Sequence, residues 1–137
     1  MPDFATDVSA ACNAAGRRAN EVFRAIAFDL VARVQELTPV KTGFLRSNWT
    51  AILPHEAEPV AGRASPASAA IQRATVGQVI TILNPTVYAR RIEYGFVGED
   101  RLGRYYNQPG RHMVGQTMAE AETISANALR RITGIAA

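Results

Sequence analysis

Thr38-Pro39-Val40-Lys41-Thr42-Gly43-Phe44-Leu45-Arg46-Ser47-Asn48-Trp49 is the stretch on which the architecture turns. Upstream of it, Phe4, Val8, Cys12, Ala15, Ala19, Val22, Ile26, Leu30, Val34 and Leu37 recur every three or four residues, the pattern of a helix with one apolar stripe. Pro39 ends that helix by disfavouring helical geometry at Thr38, and Asp3 or Thr6 can cap its start. Downstream, residues 45–53 read as a strand. Leu45, Ser47, Trp49 and Ala51 share one face, Arg46, Asn48, Thr50 and Ile52 the other, and Trp49 is the large anchor of the core face.

Working outward, a continuous N-terminal helix would run about 50 Å at 1.5 Å per residue. A compact chain of this length is under about 40 Å across. One end therefore overhangs its own domain, and that end carries Phe4 and Val8, which an oligomer would cover; the alternative is a helix broken at Gly16 and folded back. Residues 54–75, rich in Ala, Pro and Ser, read as a long loop with room for one helical turn at 67–72, and loops of that length in small domains are commonly functional or ordered on binding. Residues 76–83 have the β-branched content of a second strand, which Asn84-Pro85 ends. Residues 87–94 read as a short helix closed by Gly95. A Gly- and Arg-rich loop over 96–108 follows. Pro109-Gly110 then opens a final helix with Val114, Met118, Ala121, Ser125, Ala128 and Ile132 at helical spacing.

At 137 residues the chain fits one domain, 1–137. With 47% hydrophobic and 20% charged residues, it has the apolar matter for a core. The net charge of +3 rests on Arg, because Lys41 is the sole lysine among fifteen basic residues. Arg suits carboxylates, phosphates and interfaces better than Lys does. The arginines are dispersed, densest at Arg90, Arg91, Arg101, Arg104 and Arg111, without the solid basic stripe of a nucleic-acid binder. A lone Cys12 forms no internal disulfide and reads as a buried small hydrophobe. No apolar run reaches membrane-spanning length, and Met1-Pro2-Asp3-Phe4 lacks signal-peptide features, so the expectation is no membrane and folding in a host cytoplasm. The sequon Asn48-Trp49-Thr50 is then a chance match.

Catalysis finds little support. His55 beside Glu56 and His112 at the last helix read as loop and cap residues, and with Cys12 they lack any recognised metal spacing. Glu120 and Glu122 face different sides of their helix, Glu99-Asp100-Arg101 reads as a solvated turn, and Gly95 and Gly98 lack the context of a phosphate loop. The expectation is a protein that is not an enzyme and carries no cofactor or metal. Arg90 and Arg91 with Glu93 admit a local ion-pair reading. They also admit an intersubunit contact with Tyr88 and Tyr94 as aromatic anchors, to which Arg104, Tyr105 and Tyr106 could add. Stacking on single-stranded nucleic acid would use the same residue types.

In order along the chain, Thr38-Pro39-Val40-Lys41-Thr42-Gly43-Phe44-Leu45-Arg46, then Asn84-Pro85-Thr86-Val87-Tyr88-Ala89 through Ile92-Glu93-Tyr94-Gly95, then Pro109-Gly110-Arg111 make up a set. That ordered set resembles the tail-completion, or neck, proteins that join head to tail in long-tailed bacteriophages. The resemblance runs over nearly the whole chain, with 54–75 and 96–108 poorly matched. It implies an α+β subunit, with the long N-terminal helix and the C-terminal helix packed on a small antiparallel β-sheet, and long loops. It also implies a structural virion protein at the head-tail junction: a homo-oligomeric ring, of six copies in its expected form, between the head connector and a tail-terminator or tail-tube protein. Double-stranded DNA would pass through the channel that the ring helps to seal. The Thr42-Gly43 turn would hold the long helix against the Trp49 strand. Arg46, Arg90 and Arg91 are the interface residues so implied, to which the residue types add Tyr88, Tyr94, Arg104 and Tyr105. A small basic nucleic-acid-binding module is the alternative, with a pI near 9.5 in its favour; a cell-wall enzyme would need a paired acid and base involving Glu56 or His112.

Overall fold

The computed structural model describes residues 4–41 and 43–134. The apolar stripe forms one unbroken helix, α1 (Phe4–Glu36), which passes through Gly16 without interruption. Thr6 lies inside it, and the other candidate cap, Asp3, lies outside the described residues. Beyond α1, the Thr38 hydroxyl donates to the Val34 carbonyl at 2.6 Å and accepts the Trp49 indole N–H at 2.8 Å. Thr38 and Trp49 are both buried, so this pair joins the end of the helix to the core. Thr42, the other half of the expected Thr42-Gly43 joint, lies outside the described residues.

The expected strand over 45–53 is a helical turn, α2 (Phe44–Ser47), followed by the short β1 (Thr50–Ile52). Leu45 and Trp49 are indeed buried together. A spacing of four, however, fits a helical turn as well as alternate strand positions. Ser47 is exposed while Asn48 and Thr50 are buried, which no strand alternation allows. Gly43 starts the turn at φ 82, and the Asn48 side chain secures it, donating to the Phe44 carbonyl and accepting the Gly62 N–H.

The expected helical turn at 67–72 is α3 (Ala67–Arg73), whose Ala67, Ala70 and Ile71 are buried. The expected second strand shortens to β2 (Thr81–Leu83), because Gly77 at φ 100 and the Thr75–Gln78 hydrogen bonds fold residues 75–78 into a turn. Antiparallel pairing sets Thr50 opposite Leu83 and Ile52 opposite Thr81. Helix α4 (Ala89–Tyr94) is shorter than expected at its start, where Tyr88 takes the capping position. The expected 96–108 loop is a β-hairpin, β3 (Gly95–Glu99) with β4 (Tyr105–Pro109). Pro109 thus ends a strand, and the C-terminal helix is two: α5 (Met113–Ala119) and α6 (Ala121–Thr133), jogged at Glu120, which Arg33 of α1 grips at 2.8 Å.

The chain is therefore α+β, with two two-stranded antiparallel sheets among the described residues. One cluster buries Ala27 and Val31 of α1 with β1 and α3. A second joins Val34, Leu45, Trp49 and Met113, and Ile82 packs against both. Close packing of small and branched residues along α1 is what fixes α3, α5 and α6 to it.

Candidate assembly surfaces

The three quoted motifs meet in space. The Asn84 amide donates to the Leu45 carbonyl at 2.7 Å and accepts the Thr86 N–H at 3.0 Å, tying the second motif to the first. The Ile92 and Glu93 carbonyls, left open where α4 ends, accept the N–H groups of Arg111 and His112. Glu93 itself turns inward: its carboxylate accepts the Val114 and Gly115 N–H groups at the start of α5, at 2.8 and 3.0 Å. The local Arg90/Arg91 attraction to Glu93 is thus not what this carboxylate serves. Gly95 and Gly110 close the joint backbone to backbone. A Cβ on Gly95 would lie 2.5 Å from the Gln108 oxygen, and one on Gly110 equally close to the Glu93 oxygen.

At this meeting point a groove of about 380 Å³ opens to solvent. Pro39, Val40 and Leu45 come from the first motif, Tyr88 and Ile92 from the second, and Gln108 and Arg111 from beside the third. Among the described residues, Lys41 and Arg111 are its charges and no acid lines it.

The sequence-predicted interface residues divide by location. Arg90 and Arg91 lie exposed on α4 and each covers a ring: Arg90 that of Tyr94 at 5.9 Å, Arg91 that of Phe96 at 4.0 Å. Tyr88 borders the groove. Arg46 is apart from these, its Nε donating to the Gln35 carbonyl at 2.9 Å, so α2 is held against the end of α1. Arg104 and Tyr105 belong to the hairpin. There Asp100 organises the tip: one carboxylate oxygen accepts the Leu102 and Arg104 N–H groups, the other the Arg104 guanidinium at 2.6 Å and the Tyr106 hydroxyl. Partial burial alone would raise the Asp100 pKa; the Arg104 and Leu102 donors and the Tyr106 hydroxyl outweigh it, and the result lies below the ordinary value. The expected solvated turn at Glu99-Asp100-Arg101 is a built one.

A second surface was not legible as such. Val114 and Met118, expected on the packed stripe of the last helix, are 42% and 70% exposed, while Met113 and Thr117 point inward. Helix α5 carries apolar residues on two adjacent faces, and spacing alone does not choose between them. The outward pair borders an almost wholly apolar groove of about 170 Å³, floored by Trp49 and Ile82 and walled by Leu30 and Val34. It adjoins a hollow reaching Arg90 and Tyr94. The third surface is the helical overhang: every residue from 4 to 19 is exposed, Phe4 at 83%, and just past it Asn20 accepts the Val76 N–H. Cys12 is exposed in this arm, as are its neighbours from 4 to 19, contrary to its reading as a buried hydrophobe.

Residues 3–95 match the model of the HK97-gp10-like family, described as "Bacteriophage HK97-gp10, putative tail-component". The chain belongs to the HK97-gp10-like family. Its role is accordingly that of a bacteriophage structural protein, a tail component found with the virion. The HK97-gp10-like match takes in α1, both groove-lining motifs and α4, and stops at Gly95, where the chain closes on Gly110. Met113 and Ala128, beyond the matched span, are nonetheless buried against what precedes them. No curated protein and no solved structure matches the chain significantly.

Proposed function

We propose that this subunit forms a homo-oligomeric ring at the head-tail junction, of six copies, which joins the head connector to a tail-terminator or tail-tube protein and helps to seal the channel for double-stranded DNA. The observation that carries the proposal is the exposed helical arm, residues 4–19, ending in Phe4 and Val8. Apolar surface held so far from its own core is matter for a neighbour. The exposed aromatics Tyr88, Tyr94 and Tyr105, and the exposed arginines Arg90 and Arg91, supply further interface chemistry. The chain works by binding, without turnover. Arg46 and Arg104, engaged in their own subunit, serve by shaping the surfaces that Tyr88, Arg90, Arg91, Tyr94 and Tyr105 present.

The test is Arg90→Glu with Arg91→Glu, supplied in place of the native protein during phage production. The expected result is heads and tails that accumulate unjoined, with the free subunit still folded. Joined, infectious particles in normal number would overturn the role given to these arginines. A free subunit that instead binds DNA tightly, with a steep loss of affinity on adding salt, would favour a nucleic-acid-binding module.

A further inference from the structure

We infer that the subunits interlock arm to groove: residues 4–19 of one copy lie in the apolar groove beside Val114 and Met118 of the next. The inference rests on the ring reading and names the contact that would build it. The chain presents both halves of a complementary pair. The arm is a helix of about 24 Å at 1.5 Å per residue. Phe4, Val8, Ala11, Ala15 and Ala19 make its stripe, large at the tip and small along the shaft, where a close approach is needed. The groove is apolar, and Met118 on its rim is an unbranched side chain that adapts to what fills the space.

Charge sets the direction. On the arm, Asp7 near the tip and Arg18 near the base flank the stripe, both exposed. On the receiving side, Arg90 lines the hollow at the Val114 end, where the Glu93 carboxylate is already taken by the Val114 and Gly115 N–H groups, and Glu122 is exposed at the start of α6, past the jog at Glu120. A tip lying toward Arg90 and a base toward Glu122 brings opposite charges together at both ends, and the reverse placement sets like against like. Residues 4–19 continue α1 away from its own core, so the arm does not lie in its own groove. The contact is therefore head-to-tail, with each copy giving an arm and taking one, the arrangement that closes into a ring when the rotation allows.

Two sets of variants test this. Phe4→Asp with Val8→Asp removes the arm's grip; Val114→Asp with Met118→Asp spoils the groove at exposed positions. Each alone is expected to reduce the native oligomer to the 14.8 kDa subunit in light scattering. Mixed, they should yield a dimer of one copy of each and nothing larger, because only one good arm and one good groove remain. Independently, Met118→Cys should cross-link to the native Cys12 with a short bismaleimide, giving a covalent ladder that Cys12→Ser abolishes. A groove variant that stays oligomeric on its own, in a protein whose Cys12 links only to Cys12, would mean that arms pair with arms; the inference would fall and the ring would stand. A native protein monomeric at every concentration, with no cross-link, would overturn both.

Discussion

The Thr38 hydroxyl is shared between two elements, donating to the last turn of α1 and accepting from the indole that anchors the core. Replacing it by Val keeps the shape and leaves the buried Trp49 N–H with no acceptor, a loss of about 2 kcal/mol. Urea unfolding should show that loss for Thr38→Val, and about 1 kcal/mol or less for Thr38→Ser, which keeps the hydroxyl and sheds a methyl. A smaller loss for Thr38→Val than for Thr38→Ser would mean that the methyl, not the hydrogen bond, matters. Trp49 was legible as the anchor because a large aromatic beside a helix stop has few places to go but inward. The duty of Thr38 was not, since a threonine before a proline reads only as a stop until its partner is seen across eleven residues. Glu93 shows the same limit: beside two arginines it reads as a surface ion pair, and only the fold brings the start of α5 to it.

Among the elements, the hairpin depends on a backbone crossing. At Gly95 a side chain would meet the Gln108 carbonyl oxygen and the Gly110 nitrogen, and its φ of 85 is one that other residues resist. Gly95→Ala should cost about 3 kcal/mol from overpacking and backbone strain together, read as a lower denaturation midpoint; an unchanged midpoint would show that the two segments part easily. The hairpin tip carries its own pH dependence. Asp100 has a folded pKa below its ordinary value of 3.8, so its contribution is complete above that value and is lost as pH falls through the lower one. An acid titration followed at the Leu102 and Arg104 amides should show a midpoint below 3.8, and one at or above it would contradict the network. Short elements were the least legible. Residues 45 and 49 suit two periods at once, and the hairpin strands, with Gly, Asn, Gln and Pro and almost no core face, lack the alternation that marks a strand.

For the molecule as a whole, the overhang was legible from length alone, because a stripe of more than thirty residues exceeds the span of so small a domain. Which surfaces face neighbours was less so, as a subunit and a monomer obey the same rules of periodicity and differ in what is left uncovered. The sixteen residues of α1 that touch no core stand near the length, about 12–15 residues, below which a lone helix is only marginally stable in water. Unbound, that segment should exchange its amide hydrogens far faster than Ala25 to Val34, and the contrast should vanish once copies associate. Each docking event must also spend part of its free energy on holding the segment helical, which lowers the affinity of any two wandering copies. Association that is weak between dilute copies and prompt once a template gathers them is the kinetic behaviour a closing component needs, since it delays rings until there is something to close.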